Sequence, residues 1–398
     1  MKTKILFLFF VPFGLYAQNL SEILDAFRHS ERARSINETL LGEKARNSVA
    51  SAYSAPMIGV GLSHARSDIQ EGAEHSLSLS QNILYPFSKD SKTRAQKDLD
   101  AAAQSEAAYA LSSLELDIGA QYHLACTAFE IKEKAQILYD EQAKRYDKLN
   151  RAYEVGEISK KELLMHKLDM VKFRQKTGLY KTKYLEELSL LQESSGVPIS
   201  ALSCDDLVRP LPFVELKPLE EHTALKGLEH KKDSANALYT LQESLFTSLN
   251  YELSYEKEID LSRYRFVVSV PLGFLTSQKE SLKAEQLHRY SAYDAQKSYL
   301  QENLKNSSAS ASLKIKTLYE QFELMRDEIL PLNEELFELS KLSLDEGEGN
   351  MMEYLDAVRS YRLSLIDLYE IKGEYYRELF RLYKNNDMKF GDYYEKID

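Results

Sequence analysis

The sequence predicts a mainly α-helical protein with a small β part, its helices paired in long antiparallel coiled coils. Three observations lead there. No proline occurs between Ser88 and Val197, an interval rich in Ala, Glu, Lys, Gln and Leu, all good helix formers. Two pairs of segments, each about ten residues long, alternate apolar and polar side chains in the manner of strands. A stretch of the chain also occurs twice. Gly156-Glu-Ile-Ser-Lys-Lys-Glu162-Leu-Leu164 is echoed 191 positions later by Gly347-Glu-Gly-Asn-Met-Met-Glu353-Tyr-Leu355. The register holds downstream, where Lys181 falls on Lys372, Tyr184 on Tyr375, Glu187 on Glu378 and Leu188 on Leu379. So long a period marks a duplicated structural unit and not a solenoid, whose repeats run to roughly 20–50 residues.

Residues 1–17 read as a secretory signal: Lys2 and Lys4, an apolar run from Ile5 to Phe13, and Leu15-Tyr16-Ala17 as cleavage site. The run is too short to span a bilayer, which takes about 20 residues. No cysteine follows the cut to carry a lipid. Loss of the two lysines takes the net charge from −11 to −13, and an acidic, exported chain is a poor nucleic-acid binder. Cys126 and Cys204 are too few for a disulfide scaffold; Cys126, in a helical pattern, reads as a small packed side chain. No later segment is apolar enough for a transmembrane helix. The mature chain is therefore soluble or meets a membrane through strands.

Residues 18–196 form the first structural repeat: a helix, a β-hairpin within 56–85, and a long helix pair with its tip at 153–162. In the hairpin, Ile58, Val60 and Leu62 share one face, as do Leu77, Leu79 and Ile83, with Ser78, Ser80 and Asn82 opposite. Lys89 to Ala152 alone would make a helix of roughly 96 Å at 1.5 Å per residue. Globular helices seldom run so long, which implies an elongated coiled-coil-like assembly. Gly156 suits the end of that helix, and Ser159-x-x-Glu162 then opens the next as a capping box. Residues 197–218, with Pro198, Pro210, Pro212 and Pro218, read as a linker and not as a core element.

Residues 219–385 form the second repeat: a helix, a β-hairpin within 248–272, and a long helix pair with its tip at 344–356. Leu249, Tyr251, Leu253 and Tyr255 alternate with Asn250, Glu252, Ser254 and Glu256, followed by Tyr264, Phe266, Val268 and Val270. Ser277 to Asp345 should be one long helix kinked at Pro331. Gly347 ends it, and Asn350-x-x-Glu353 caps the final helix. That helix carries a heptad seam of Val358, Tyr361, Leu365, Leu368, Lys372, Tyr375, Leu379 and Leu382. Residues 386–398 are a C-terminal tail.

A lone hairpin is too small to be stable. Two readings fit: surface hairpins on a helical domain, or strands of a closed barrel, apolar outside and polar inside. Ten residues match the roughly 9–11 that cross a membrane. Four strands cannot close a barrel, whereas three chains would supply twelve, an even number as bacterial barrels require.

No catalytic, cofactor-binding or metal-ligating constellation is present. The histidines are scattered, there is no phosphate loop and no nucleophile elbow, and His222 and His230 read as solvated helix residues. Met351-Met352 reads as packing. Glu353 and Asp356, three apart, share a helix face. Such carboxylates are ordinarily just solvated; in a ring of symmetric chains they would crowd a pore axis.

Taken together, the chain resembles the TolC family of outer-membrane efflux proteins over nearly its whole mature length. The likeness rests on Tyr153-Glu-Val-Gly156 with Glu162, on Gly347-Glu-Gly-Asn-Met-Met-Glu353-Tyr-Leu-Asp356-Ala357, and on the duplication. Glu328-Ile-Leu-Pro331 is similar to members serving resistance-nodulation-division pumps, cation exporters included. The resemblance implies a homotrimer with a twelve-stranded β-barrel in the outer membrane of a Gram-negative bacterium. Most of its mass would be a helical tunnel in the periplasm. It implies a passive duct, with a periplasmic adaptor (membrane fusion) protein and an inner-membrane transporter as partners. Outer-membrane lipids would meet Leu249, Tyr251, Leu253 and Tyr255. Acidic rings at the pore entrance would fall on Glu353 and Asp356, and tip contacts on Glu162, Gly156, Ser159, Gly347 and Asn350. The chain departs from the family's best-known gate in carrying Gly349 for the tip arginine and Leu344 for an inter-chain tyrosine. The alternative is a periplasmic coiled-coil adaptor or scaffold without a membrane barrel, which needs no lipid-facing strands.

Overall fold

The structure, a computed structural model, describes residues 17–66, 71–213, 216–244, 246–273 and 276–389. All of the expected signal but Ala17, and the tail beyond Lys389, lie outside them. In order the chain forms helices α1 (Leu20–Arg28) and α2 (Glu31–Ser51), strands β1 (Met57–Arg66) and β2 (Glu71–Leu84), and helices α3 (Pro86–Glu154) and α4 (Lys160–Ser195). The same order returns as α5 (Thr223–Leu241), β3 (Ser248–Lys257), β4 (Ser262–Ser269), α6 (Ser277–Leu324), α7 (Leu330–Asp345) and α8 (Met351–Asn385). With 69 residues, α3 is about 104 Å long. The expected break near Pro331 is a π-helical turn at Met325–Ile329, with the proline in the first turn of α7. There its missing N–H costs little, and the extra residue of the turn keeps the helix going.

Two compact units result, each drawn from both repeats. One comprises Ile36–Ala110 and Leu219–Asn303 and holds the sheet; the other comprises Met1–Ser35, Leu111–Pro218 and Leu304–Asp398. In the latter, α1 is fixed by a capping box between Asn19 and Glu22. Its Leu20, Ile23, Leu24 and Phe27 fall at helical spacing and pack on Ile118, Tyr122 and Ala125 of α3 and Leu191 of α4. A second core joins Tyr375, Tyr376, Leu379, Phe380 and Leu382 of α8 to Leu116 of α3 and Ala311 and Ile315 of α6. Most of the α8 seam is thus buried, with Tyr361 and Lys372 half-buried, but Arg362, Ser364, Ile366, Tyr376 and Tyr383 beside it are buried as well. The helix is packed on more than one face.

Three expectations fail here. Among its described residues segment 197–218 has no helix or strand, yet it is part of the core: Ile199, Leu202 and Val208 are buried. Three tyrosine hydroxyls hold its backbone, Tyr122 donating to Ser203 O (2.6 Å), Tyr376 to Val208 O (2.8 Å) and Tyr375 to Leu211 O (2.9 Å). Cys126 is not merely packed but disulfide-bonded to Cys204 of this segment, with Cα atoms 5.6 Å apart. The prolines remove backbone donors, and side chains from α3 and α8 take over what a ladder would have done. His222 also differs from expectation. It is buried and caps α5, its ring Nδ1 accepting from Ala224 N (3.2 Å).

Candidate functional site

Two places carry features that core packing does not require: the sheet and the pair of helical turns. The sheet runs β1-β2-β3-β4, antiparallel throughout. Directly opposed residues share a face, so the register aligns Ile58 with Leu79, Leu253 and Phe266, and Val60 with Leu77, Tyr255 and Tyr264. Tyr251 follows, between Gln81 and Val268, with Leu249 against Ile83. Apolar side chains therefore cross all four strands on one face. They are open to solvent: Ile58 is 74% exposed, Leu62 77%, Tyr264 79% and Phe266 66%. The other face carries Ser76, Ser78, Ser80, Asn250, Glu252, Ser254, Glu256 and Arg265, with Arg265 Nη2 donating to Glu256 Oε2 (3.0 Å). On this face Gly59 and Gly61 leave room for Ser78 and Ser76, whose hydroxyls a Cβ would meet at 2.6 and 2.3 Å.

At the turns the duplication is repeated in the backbone, with a difference in the caps. Gly156 (φ 84°) and Gly347 (φ 79°) are both left-handed. Glu157 N donates to Ala152 O (2.9 Å), and Glu348 N to Ser343 O (3.0 Å). Ser159 and Glu162 form a full capping box, the carboxylate accepting from both Ser159 N and Oγ at 2.7 Å. Those bonds hold the Glu162 carboxyl below the usual range. In the second copy Asn350 Oδ1 accepts from Glu353 N (3.0 Å), and the Glu353 carboxylate takes the Asn350 amide (2.7 Å) instead of a backbone N–H. Leu344 is packed against Met351, Tyr354, Leu355 and Val358. Gly349 has no room for a side chain, since a Cβ would lie 2.8 Å from Ser343 Oγ and 3.2 Å from Leu344 N. Of the two methionines, Met351 is buried and Met352 is exposed.

Glu353 and Asp356 are both exposed on α8. Asp356 is not free, because Arg359 Nη1 lies 3.1 Å from its Oδ1. Arg359 Nε in turn reaches Asp169 Oδ1 of α4 (2.7 Å), and Arg362 Nη2 pairs with Asp169 Oδ2. Burial pushes the Asp169 carboxyl up, but the Arg362 and Arg359 guanidiniums outweigh it and hold it below the ordinary range. A turn away, the His166 ring lies between Tyr146 and Tyr354 (centroids 6.1 and 6.5 Å), and Arg145 covers Tyr354 at 4.2 Å. Neither ring nitrogen of His166 has a hydrogen-bond partner among the described residues.

No protein-family model matches the chain, and no curated protein matches it in sequence. Solved structures do match. A membrane protein from Pseudomonas aeruginosa is similar at TM-score 0.79 and 14% identity, over 92% of each chain. The Campylobacter jejuni CmeC outer membrane channel is similar at 0.74 and 14%, over 95% of this chain and 87% of that one. The Vibrio cholerae outer membrane protein VceC gives 0.75 and 11%, over 93% and 96%. The chain has the TolC-type channel fold. At such identities it is the fold that is shared, and within the TolC-type frame the ion network at Asp169 was not read from the sequence. Its partners lie 190 and 193 residues away. The one visible signal was Arg362 on a helix otherwise rich in buried apolar positions.

The buried imidazoles make an acid-dependent stability. His123 is enclosed, its Nδ1–H donating to Gly119 O (2.7 Å) and its Nε2 accepting from Val208 N (2.9 Å). Burial above all pushes His123 down to about 3. Burial, then Arg145 and Arg362 against Asp169, pushes His166 down to about 4. An unfolded histidine titrates near pH 6.5, roughly. Between that value and the folded ones the unfolded chain holds the extra proton. Stability is therefore full above about pH 6.5 and falls as the pH falls, by about 1.4 kcal/mol per unit for each ring. From pH 7 to pH 5 each histidine should cost about 2 kcal/mol. His166→Phe keeps a ring between the tyrosines and should remove half of that loss. Denaturant unfolding at the two pH values measures it; an equally steep loss in His166→Phe would refute the assignment.

Proposed function

We propose that the chain is a protomer of a trimeric exit duct in the outer membrane of a Gram-negative bacterium, with most of its mass in the periplasm. The observation that carries this reading is the sheet. Its apolar face crosses all four strands, and β1 and β4 each leave one edge unpaired among the described residues. Open edges and a wide exposed apolar face are liabilities in water. Three copies closing edge to edge into twelve strands remove the edges, turn the apolar face to lipid, and put the Ser, Asn, Glu and Arg face inside. A periplasmic scaffold has no use for that face. The disulfide suits an oxidising compartment.

In this reading the tip turns at Gly156–Ser159 and Gly347–Asn350 meet a periplasmic adaptor, which couples the duct to an inner-membrane transporter. Cysteines at Glu157 and Glu348 should cross-link to an adaptor hairpin tip, and mid-helix positions should not; the reverse pattern overturns the docking. Glu353 and Asp356 would line the entrance as acidic rings. Because Arg359 already pairs with Asp356, Glu353 carries the larger share of free charge. Planar-bilayer conductance should be cation-selective and blocked by multivalent cations from the periplasmic side. Glu353→Gln/Asp356→Asn should lose most of that block, with Glu353→Gln alone losing more than Asp356→Asn. A block unchanged in the double variant places the constriction elsewhere.

A further inference from the structure

Between α4 and α8 lies a cleft of about 210 Å³. Its walls bring together four cations, Lys172, Lys176, Arg359 and Arg362, with a single carboxylate, Asp169. The remaining lining is apolar: Phe173, Leu363 and Ile366. An excess of positive charge is not the background here, since the chain as a whole carries −11.

The hydrogen-bond count in the cleft is unbalanced. Each guanidinium has five N–H donors. Arg359 uses Nε on Asp169 and Nη1 on Asp356. Arg362 is buried and gives Nε to Val358 O (3.3 Å) and Nη2 to Asp169. Its Nη1 is buried with no hydrogen-bond partner among the described residues, and the guanidinium lies over the Phe173 ring at 4.2 Å. Lys172 and Lys176 are exposed, one helical turn apart, and make no ion pair among the described residues. The two Asp169 oxygens cannot serve four cations. A buried donor left unpaired is costly, and an acceptor that reaches it is favoured.

We propose that this cleft binds a small amphipathic organic acid, a single-ring or medium-chain carboxylate. Its acid group sits among Arg359, Arg362, Lys172 and Lys176, and its apolar body lies on Phe173, Leu363 and Ile366. The volume suits such a molecule and is smaller than the roughly 300 Å³ or more of drug-sized sites. An inorganic anion would leave the apolar floor unused, and a neutral analogue would leave the donors unserved. Arg359 also holds Asp356, so the cleft adjoins the entrance proposed above, but binding of the acid does not depend on that role.

Ligand-observed NMR on the full-length mature protein in non-ionic detergent tests this, with phenylacetate as probe and 2-phenylethanol and inorganic sulfate as comparisons. Phenylacetate should bind saturably in the millimolar range or below, the alcohol should not, and sulfate should compete only weakly. Lys172→Gln/Lys176→Gln should weaken phenylacetate about tenfold, and Lys172→Arg/Lys176→Arg should retain it. These exposed, unpaired positions leave the fold intact, whereas Arg362→Gln would also strip Asp169 of its main partner. Absence of saturable binding, equal binding of acid and alcohol, sulfate binding as tightly as phenylacetate, or an unchanged affinity in the glutamine variant would each overturn the proposal.

Discussion

Replacing both Cys126 and Cys204 with alanine should destabilise the protein by about 4 kcal/mol, and reduction of the wild type should do the same. The bond closes a loop of 78 residues that contains the last part of α3, the first tip and all of α4. Cross-linking a loop of that size restricts the unfolded chain by about 4.5 kcal/mol in the chain-entropy account. On the folded side the bond joins α3 to a segment that has no ladder of its own. Val208 N reaches His123, and the three tyrosine hydroxyls take carbonyls on either side of Cys204 and beyond. Those contacts remain when the sulfurs are gone, so the segment should stay docked in the folded state while the midpoint of unfolding falls. Denaturant titration with and without reductant measures the difference. A loss below about 1 kcal/mol would mean that the tyrosine bonds already hold the unfolded loop together, and that the disulfide adds nothing.

What the sequence reveals here depends on range. Local rules work: Gly156 and Gly347 are left-handed because each follows a long helix and precedes a capping residue, and the chain pattern shows both. Period-two alternation places Leu249, Tyr251, Leu253 and Tyr255 on one face of β3 before any register is known, because the side-chain period of a strand leaves no other choice. Long-range pairing follows no such rule. Cys126 and Cys204 lie on a helix and in a proline-rich stretch, and nothing in their spacing joins them. Ile199, Leu202 and Val208 have neither helical nor strand period, so their burial is invisible among Pro198, Pro210 and Pro212. Asp169, Arg359 and Arg362 look like ordinary helix charges until α4 and α8 are brought together. In the sequence Asp356 reads as a solvated carboxylate or as part of an acidic ring, although Arg359 stands at the i+3 position where a partner would be sought.

Leu253→Arg should abolish most of the assembled trimer, and Tyr251→Arg should do nearly as much. Leu253 lies in the middle of β3, flanked in register by Leu79 and Phe266, so its side chain is at the centre of the apolar face. In a barrel that centre meets the middle of the bilayer, where an arginine costs about 2–4 kcal/mol. Threefold symmetry imposes the cost in every protomer of one assembly. Tyr251 is two residues along on the same face, against Val268, and its ring stacks with Phe266 at 6.2 Å. Glu252, between them, points to the polar face beside Ser80 and Val267. Glu252→Arg therefore adds the same side chain one residue away at little cost. That contrast is the test, because one residue along a strand exchanges the two faces. Heat-modifiable trimer in outer-membrane fractions should nearly vanish for Leu253→Arg and Tyr251→Arg and persist for Glu252→Arg. If all three variants gave wild-type trimer, the apolar face would not be the one turned to lipid. If Glu252→Arg failed as badly as Leu253→Arg, both faces would be enclosed, and the sheet would be packed against protein instead of closing a barrel.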